Sequence, residues 1–192
     1  MRNKAHHVSR YAFSAGERIL PDANVWLYLY SAASIGLDTR IIDAYANAWD
    51  TLLEKGAVAC IDPIVISEVI NRLLDEEWLR LDPPDPVTKA RRYRKRKDFR
   101  QSGDYPAAAR VVEALAKQIM ADSTPLTSPF ASMDIDVMLT DFGSGSIDWN
   151  DQLIVETCRH HGCKLLTNDT DHTEGGIEVL TSHPRLLRAC PS

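Results

Sequence analysis

Short apolar runs alternate with amphipathic helical stretches along this chain, and that alternation limits it to folds in which helices cover a buried parallel sheet. Arg18-Ile19-Leu20 reads as a strand, and Val25-Trp26-Leu27-Tyr28-Leu29-Tyr30 as the apolar opening of the helix after it. Between Ile41 and Lys55, apolar residues recur at helical spacing (Ile42, Tyr45, Ala46, Trp49, Leu52, Leu53), Gly56 ends the stretch, and Ala57 to Ile61 is a second strand. Pro63 suits the first turn of the next helix, striped by Val65, Ile66, Val69, Ile70, Leu73 and Leu74. Val111, Val112, Leu115 and Ile119 predict another amphipathic helix. Thr124 to Thr127 reads as a short strand, and Met133 to Phe142 as weakly helical. Gly143-Ser144-Gly145-Ser146 is a flexible joint, after which a helix runs from near Asp148 to Gly162. Lys164 to Thr167 is a strand, and Ile177 to Leu180 supplies one more. The fold class predicted is α/β, with three α/β/α layers and a central, mainly parallel sheet.

At 192 residues and 44% hydrophobic, the chain has the length of one well-cored domain. We read residues 1–17 as an N-terminal extension and 18–192 as the domain, with a basic helical insertion at about residues 82–104. The insertion opens on Asp82-Pro83-Pro84-Asp85-Pro86, which breaks a helix, and continues as the basic run from Lys89 to Lys97. A net charge of -5 argues against a globally basic nucleic-acid binder but leaves this local positive patch. The N-terminus lacks the apolar region of a secretory signal, and no apolar run approaches a bilayer span, so a cytoplasmic location without membrane contact is expected. The 4 cysteines form no C-x-x-C pair, which makes a disulfide framework unexpected.

Chemistry concentrates at four acids placed beside these apolar runs: Asp22, Glu68, Asp151 and Asp169. Ligands of parallel sheets bind beyond the carboxyl ends of the strands, where Asp22 and Asp169 fall. Asp151 lies in the first turn of its helix, where free amides and the helix dipole favour a carboxylate. Glu68 projects beside the core, with Asn71 three residues on along the same edge. If the acids converge, each pair about 4 Å apart repels by about 4 kcal/mol at an effective dielectric of about 20, which a cation relieves. All-oxygen ligands favour Mg²⁺ or Mn²⁺ over zinc, and such ions serve phosphodiester hydrolysis.

In their settings, Pro21-Asp22-Ala23-Asn24, Ser67-Glu68-Val69, Asn150-Asp151-Gln152 and Thr167-Asn168-Asp169, these acids resemble the ordered acidic set of PIN domains. The likeness runs over roughly Leu20 to Leu180, excluding the basic insertion. It implies an α/β/α nuclease of the kind found among VapC-like toxins of type II toxin-antitoxin systems, cleaving single-stranded RNA with Mg²⁺ or Mn²⁺. It further implies catalysis by Asp22, Glu68, Asp151 and Asp169 and metal ligation by Asp22, Asp151 and Asp169, with Glu68, Asp148 and Asp171 as further candidates. Asn24, Asn71 and Thr167 are candidate supporting residues. The partners expected are an RNA substrate and an antitoxin protein, with a homo-oligomer left open. A housekeeping RNA-processing nuclease and a catalytically silent RNA- or protein-binding module are the alternatives.

Other uses of the same residues compete. Asp22 serves equally as a helix cap, Glu68 and Arg72 as an i,i+4 surface pair, Asp148 as a cap and Asp171 as a solvated acid. Asp169-Thr170-Asp171-His172-Thr173 resembles the nucleophile loop of haloacid-dehalogenase-type phosphatases, but such a loop opens its domain. For the insertion, Arg91, Arg92, Tyr93, Arg94 and Lys95 are candidate RNA contacts, with phosphates on the cations and a base stacked on Tyr93. A solvated helix face, or one that docks an acidic protein, is the competing reading.

Overall fold

The computed structural model describes residues 1–31, 38–145 and 147–191. In chain order its elements are β1 (Lys4–His7), β2 (Arg18–Pro21), α1 (Ala23–Tyr30), α2 (Thr39–Glu54), β3 (Val58–Ile61), α3 (Pro63–Leu81) and α4 (Arg96–Arg100). There follow α5 (Tyr105–Ala121), β4 (Thr124–Pro125), α6 (Ile135–Gly143), α7 (Trp149–His161), β5 (Lys164–Leu166), β6 (Glu178–Thr181) and α8 (Pro184–Ala189). The strands form one six-stranded sheet in the order β1-β6-β5-β2-β3-β4, and every pairing is parallel. With helices flanking it, this is the three-layer α/β/α architecture expected.

The central strands are apolar because both their faces are covered. Ile19 and Leu20 of β2, Leu165 and Leu166 of β5, and Val179 and Leu180 of β6 are fully buried. Around them pack Trp26 of α1 and Trp49 of α2, whose rings meet edge to face at 5.2 Å. Full burial of a ring the size of Trp26 removes roughly 200 Å² from water, a contribution of about 5 kcal/mol before entropy is counted. Cys60, Cys158, Cys163 and Cys190 are buried and free. Gly162, in the left-handed region at φ 63°, ends α7 and turns the chain into β5.

Strand order fixes where a ligand can sit. From β2 the chain builds outward through β3 and β4, then returns to the other side of β2 with β5, followed by β6. The connections therefore diverge between β2 and β5, and the crevice of a doubly wound sheet opens at such a switch point, beyond the strands' carboxyl ends. Pro21 pairs with Leu166 there, and Asp22 N–H donates to the Leu166 carbonyl at 2.9 Å.

Several details depart from the sequence reading. Residues 4–7, inside the expected extension, pair along β6 as an edge strand, and α8 covers them with the fully buried Leu186. The expected apolar stripes are imperfect: Leu53 of α2 is 52% exposed and Val111 of α5 is 42% exposed. Of the expected joint, Gly143 closes α6, Ser144 and Gly145 form a turn, and Ser146 lies outside the described residues.

In the insertion, helix is confined to the five residues of α4, and the basic run up to Lys95 is bends and irregular chain. The reason is local. Asp82 ends α3 and its carboxylate accepts the N–H groups of Arg92 and Tyr93, which holds the run in a loop. Phe99, 1% exposed, anchors a small aromatic cluster with Trp78 (stacked, 5.9 Å), Tyr93 and Tyr105. This cluster lies outside the main core.

Candidate metal centre

Asp22, Glu68, Asp151 and Asp169 line one cleft of about 370 Å³, together with Asn24, Arg72, Asp75 and Glu76. Each arrives from a different element. Asp22 follows β2 and caps α1, Glu68 projects from α3, Asp151 stands in the first turn of α7, and Asp169 follows β5.

Asp22 is the most constrained of them, at 6% exposure. One carboxylate oxygen accepts the Ala23 N–H at 2.6 Å, and the other accepts the Thr167 hydroxyl at 2.7 Å and the Asn24 amide. Asn24 also accepts the Asn168 N–H at 3.1 Å, and Thr167 Oγ1 accepts the Asp169 N–H at 3.0 Å. Asn24 and Thr167 thus bolt the turn after β5 onto the turn after β2. Tyr45 supports the same turn from α2, its hydroxyl donating to the Thr167 carbonyl at 2.7 Å.

The electrostatics match crowded carboxylates. Burial raises the Asp151 carboxyl to about 6, with Asp169, Asp148 and Asp22 adding to the rise and His172 opposing it. Glu68 is likewise raised, by burial first and then by Asp22, while Arg72, at 3.8 Å, pulls it down. The surface pair and the cleft lining therefore coexist at Glu68. Among the described residues no three His, Cys, Asp or Glu side chains close on a common point as they stand. The donor set nonetheless fits a hard divalent cation: carboxylate oxygens at a sheet's carboxyl edge, one held by neutral donors and two with raised pKa.

The remaining candidates lie elsewhere. Asp148 is exposed and caps α7 through the Asn150 N–H at 2.8 Å. Asp171 is exposed, and its N–H donates to Asp169 Oδ1 at 3.0 Å. Asn71 borders a neighbouring depression with Glu68, Arg72 and Asn150, and its carbonyl accepts from Arg96. In the insertion, the Arg91 guanidinium lies over the Trp78 ring at 5.2 Å, and Arg92 pairs with Asp104 at 2.6 Å. Tyr93 carries Arg92 on its face and donates its hydroxyl to Asp104. Arg94 and Lys95 are exposed and, among the described residues, carry no ion pair. Arg96 fastens the insertion to the cleft rim by an ion pair of 3.0 Å with Asp75.

Sequence reasoning missed His172. It is 1% exposed, with Nε2 3.6 Å from Asp151 and 4.0 Å from Asp22. It also missed Asp62, 2% exposed, which caps α3 through Val65 N–H and whose carboxyl burial pushes up. Asp62 directly follows the apolar strand β3, a signal like that at Asp22; His172 lies in a polar loop with no periodicity to mark it.

The PIN-domain family model matches residues 19–177. The chain belongs to the PIN-domain family. Members of that family are generally nucleases and typically use divalent metals. Among solved structures, the chain is similar to VapBC2 from Rickettsia felis bound to a DNA fragment from its promoter, at TM-score 0.52 and 12% identity, covering 85% of this chain and 98% of that one. It is also similar to PAE2754 from Pyrobaculum aerophilum, at TM-score 0.45 and 18% identity, covering 91% and 96%. No curated protein matches. Among the described residues no helix is long and apolar enough to cross a membrane.

Proposed function

We propose that this PIN domain is a metal-dependent endoribonuclease of the cytoplasm that cleaves single-stranded RNA, acting as the toxin of a toxin-antitoxin pair. The observation that carries the reading is the convergence of four acids from separate elements on one cleft at the β2–β5 switch point. Asp22, Asp151 and Asp169, with Glu68 beside them, would hold Mg²⁺ or Mn²⁺. Such an ion supplies charge stabilisation of the phosphoryl group and lowers the pKa of water. Asn24 and Thr167 keep Asp22 aimed, and Arg72 offers the cleft a cation for a phosphate oxygen. The VapBC2 likeness supports an antitoxin partner.

The deciding experiment incubates the pure protein with a defined single-stranded RNA. Cleavage is expected with Mg²⁺ or Mn²⁺, none in EDTA, and the products should carry 5′-phosphate and 3′-hydroxyl ends. Full activity in EDTA, or 2′,3′-cyclic phosphate ends, refutes the reading. Coexpression with the product of a small adjacent reading frame tests the toxin assignment, since a cognate antitoxin should bind and silence the enzyme.

A pH dependence follows from Asp151, which must give up its proton to serve a cation. Affinity for Mn²⁺ is expected to level off above pH about 6 and to fall below it by about tenfold per unit for the one proton displaced. Calorimetric titration between pH 5 and pH 8, values chosen to bracket about 6, checks this; a flat profile contradicts it.

For the insertion we infer non-specific contact with the RNA backbone through its free cations. Replacing Arg94 and Lys95 by Gln should weaken RNA binding across sequences and flatten its salt dependence, by about 0.7 slope units for each phosphate no longer neutralised. An unchanged slope together with failure to bind a protein partner makes the insertion a docking surface instead.

A further inference from the structure

A buried imidazole stands beside two of these carboxylates. His172 sits in the loop between β5 and β6, where the Asn3 side chain, itself 2% exposed, donates to its backbone carbonyl at 3.0 Å and holds the loop down. The ring is 1% exposed, and among the described residues its Nδ1 has no hydrogen-bond partner. Buried imidazole nitrogens ordinarily find partners, so a ring placed this way has either a ligand to bind or a charge to balance.

Geometry separates the two. Nε2 is 3.6 Å from Asp151 Oδ1 and 4.0 Å from Asp22 Oδ2, both too long for a good hydrogen bond. They do lie within the reach of two atoms that share one ion, with a small approach still needed for three ligands to close on a common point. With metal–ligand bonds of about 2.1 Å, two ligands stand ~3.0 Å apart at a right angle, ~3.4 Å apart at the tetrahedral angle and at most ~4.2 Å apart when opposite. Both distances fall inside that interval, and Asp22 is held in place by Thr167 and Asn24.

We propose that His172 Nε2 is a nitrogen ligand of the cation held by Asp22 and Asp151. This deepens the metal reading above and rests on it. A mixed nitrogen and oxygen set changes which ion the site prefers. Mg²⁺ is hard and sheds water reluctantly, whereas imidazole suits first-row transition ions, so Mn²⁺ is bound in preference to Mg²⁺. The acids alone would make the centre an all-oxygen one; the histidine makes it selective.

The test uses the full-length protein, freed of metal and titrated separately with Mn²⁺ and Mg²⁺. Pulsed electron paramagnetic resonance of the Mn²⁺ complex is expected to show coupling to a directly bound ¹⁴N nucleus. In His172→Phe, which fills the same volume without a donor, that coupling should vanish and Mn²⁺ affinity should fall by about tenfold or more while Mg²⁺ affinity changes little. Mn²⁺ bound without nitrogen coupling overturns the proposal and leaves the acid centre standing. A rise in both affinities in His172→Phe also overturns it, since His172 would then be a positive counter-charge that competes with the ion. Failure of the wild-type protein to bind either ion overturns the metal reading and this proposal with it. The wild-type resonance measurement decides even if the variant does not fold.

Discussion

Replacing Asp151 with asparagine is expected to lower RNA cleavage by about three orders of magnitude, a loss of about 4 kcal/mol of transition-state stabilisation, while leaving the metal-free protein as stable as before or more so. Asp22→Asn and Asp169→Asn should lose activity to a similar degree, because each acid reaches the cleft from a separate element and none can stand in for another. The stability half of the prediction comes from the sign of the Asp151 shift. Its folded-state carboxyl is raised above the unfolded value of about 3.9, so the group favours the folded state at low pH, and that contribution is lost as pH rises through about 6. At neutral pH the buried anion is a burden that asparagine removes. Thermal melts in EDTA should therefore show an unchanged or higher midpoint for Asp151→Asn at pH 7, with the difference gone near pH 4. A gain of ~1 kcal/mol corresponds to about 2–4 °C in a domain of this size. Wild-type cleavage by Asp151→Asn would transfer its role to Asp148, the acid one helical turn earlier.

Asp22 behaves differently under the same substitution. Its oxygens accept from Ala23, Asn24 and Thr167, so an asparagine there presents an amide N–H to at least one of these donors. The expected melt of Asp22→Asn is flat or slightly lower, and the contrast with Asp151→Asn distinguishes an acid anchored by hydrogen bonds from one held against its neighbours' repulsion. Dead variants that melt alike at every pH would mean the acids do not feel one another, and the cleft would lose its electrostatic case for a cation.

Those four acids were legible in the sequence because each adjoins an element whose pattern is strong. Ile19-Leu20 and Leu165-Leu166 are buried on both faces and so read as apolar runs, which puts Asp22 and Asp169 at strand ends. The first turn of α7 is marked by its cap, Asp148, which locates Asp151. Weak patterns hid the rest. Lys4-Ala5-His6-His7 forms β1 at the sheet edge with only Ala5 fully inside, so no apolar alternation announces it. His172 is buried because Asn3, 169 positions away, pins its loop, a tether that no local window contains. The basic run looks free in the sequence because its partners, Trp78 and Asp75 on α3 and Asp104 just before α5, lie outside the run. Folding spends Arg91, Arg92 and Arg96 on the insertion's own structure and leaves Arg94 and Lys95 outward.

That division of labour predicts a large and local effect of Phe99→Ala. Truncating a fully buried phenylalanine costs about 3–5 kcal/mol when the site cannot collapse. Phe99 stacks on Trp78 and touches Tyr93 and Tyr105, but it belongs to a cluster outside the main core, so the cost falls on the insertion. Local openings draw on local contacts, and among the described residues of 82–104 Phe99 is the one buried apolar side chain. Hydrogen exchange should show residues 82–104 losing protection in Phe99→Ala, with β2, β5 and β6 unchanged. Mn²⁺ affinity should stay at the wild-type value, because Asp22, Asp151 and Asp169 come from the ends of β2, α7 and β5, outside the insertion, whereas RNA binding should weaken as Arg94 and Lys95 lose their fixed positions. If the whole domain unfolds cooperatively instead, the insertion is part of the core's folding unit, and the Arg96–Asp75 and Arg96–Asn71 contacts that join it to α3 carry more of the fold than the burial of Phe99 implies.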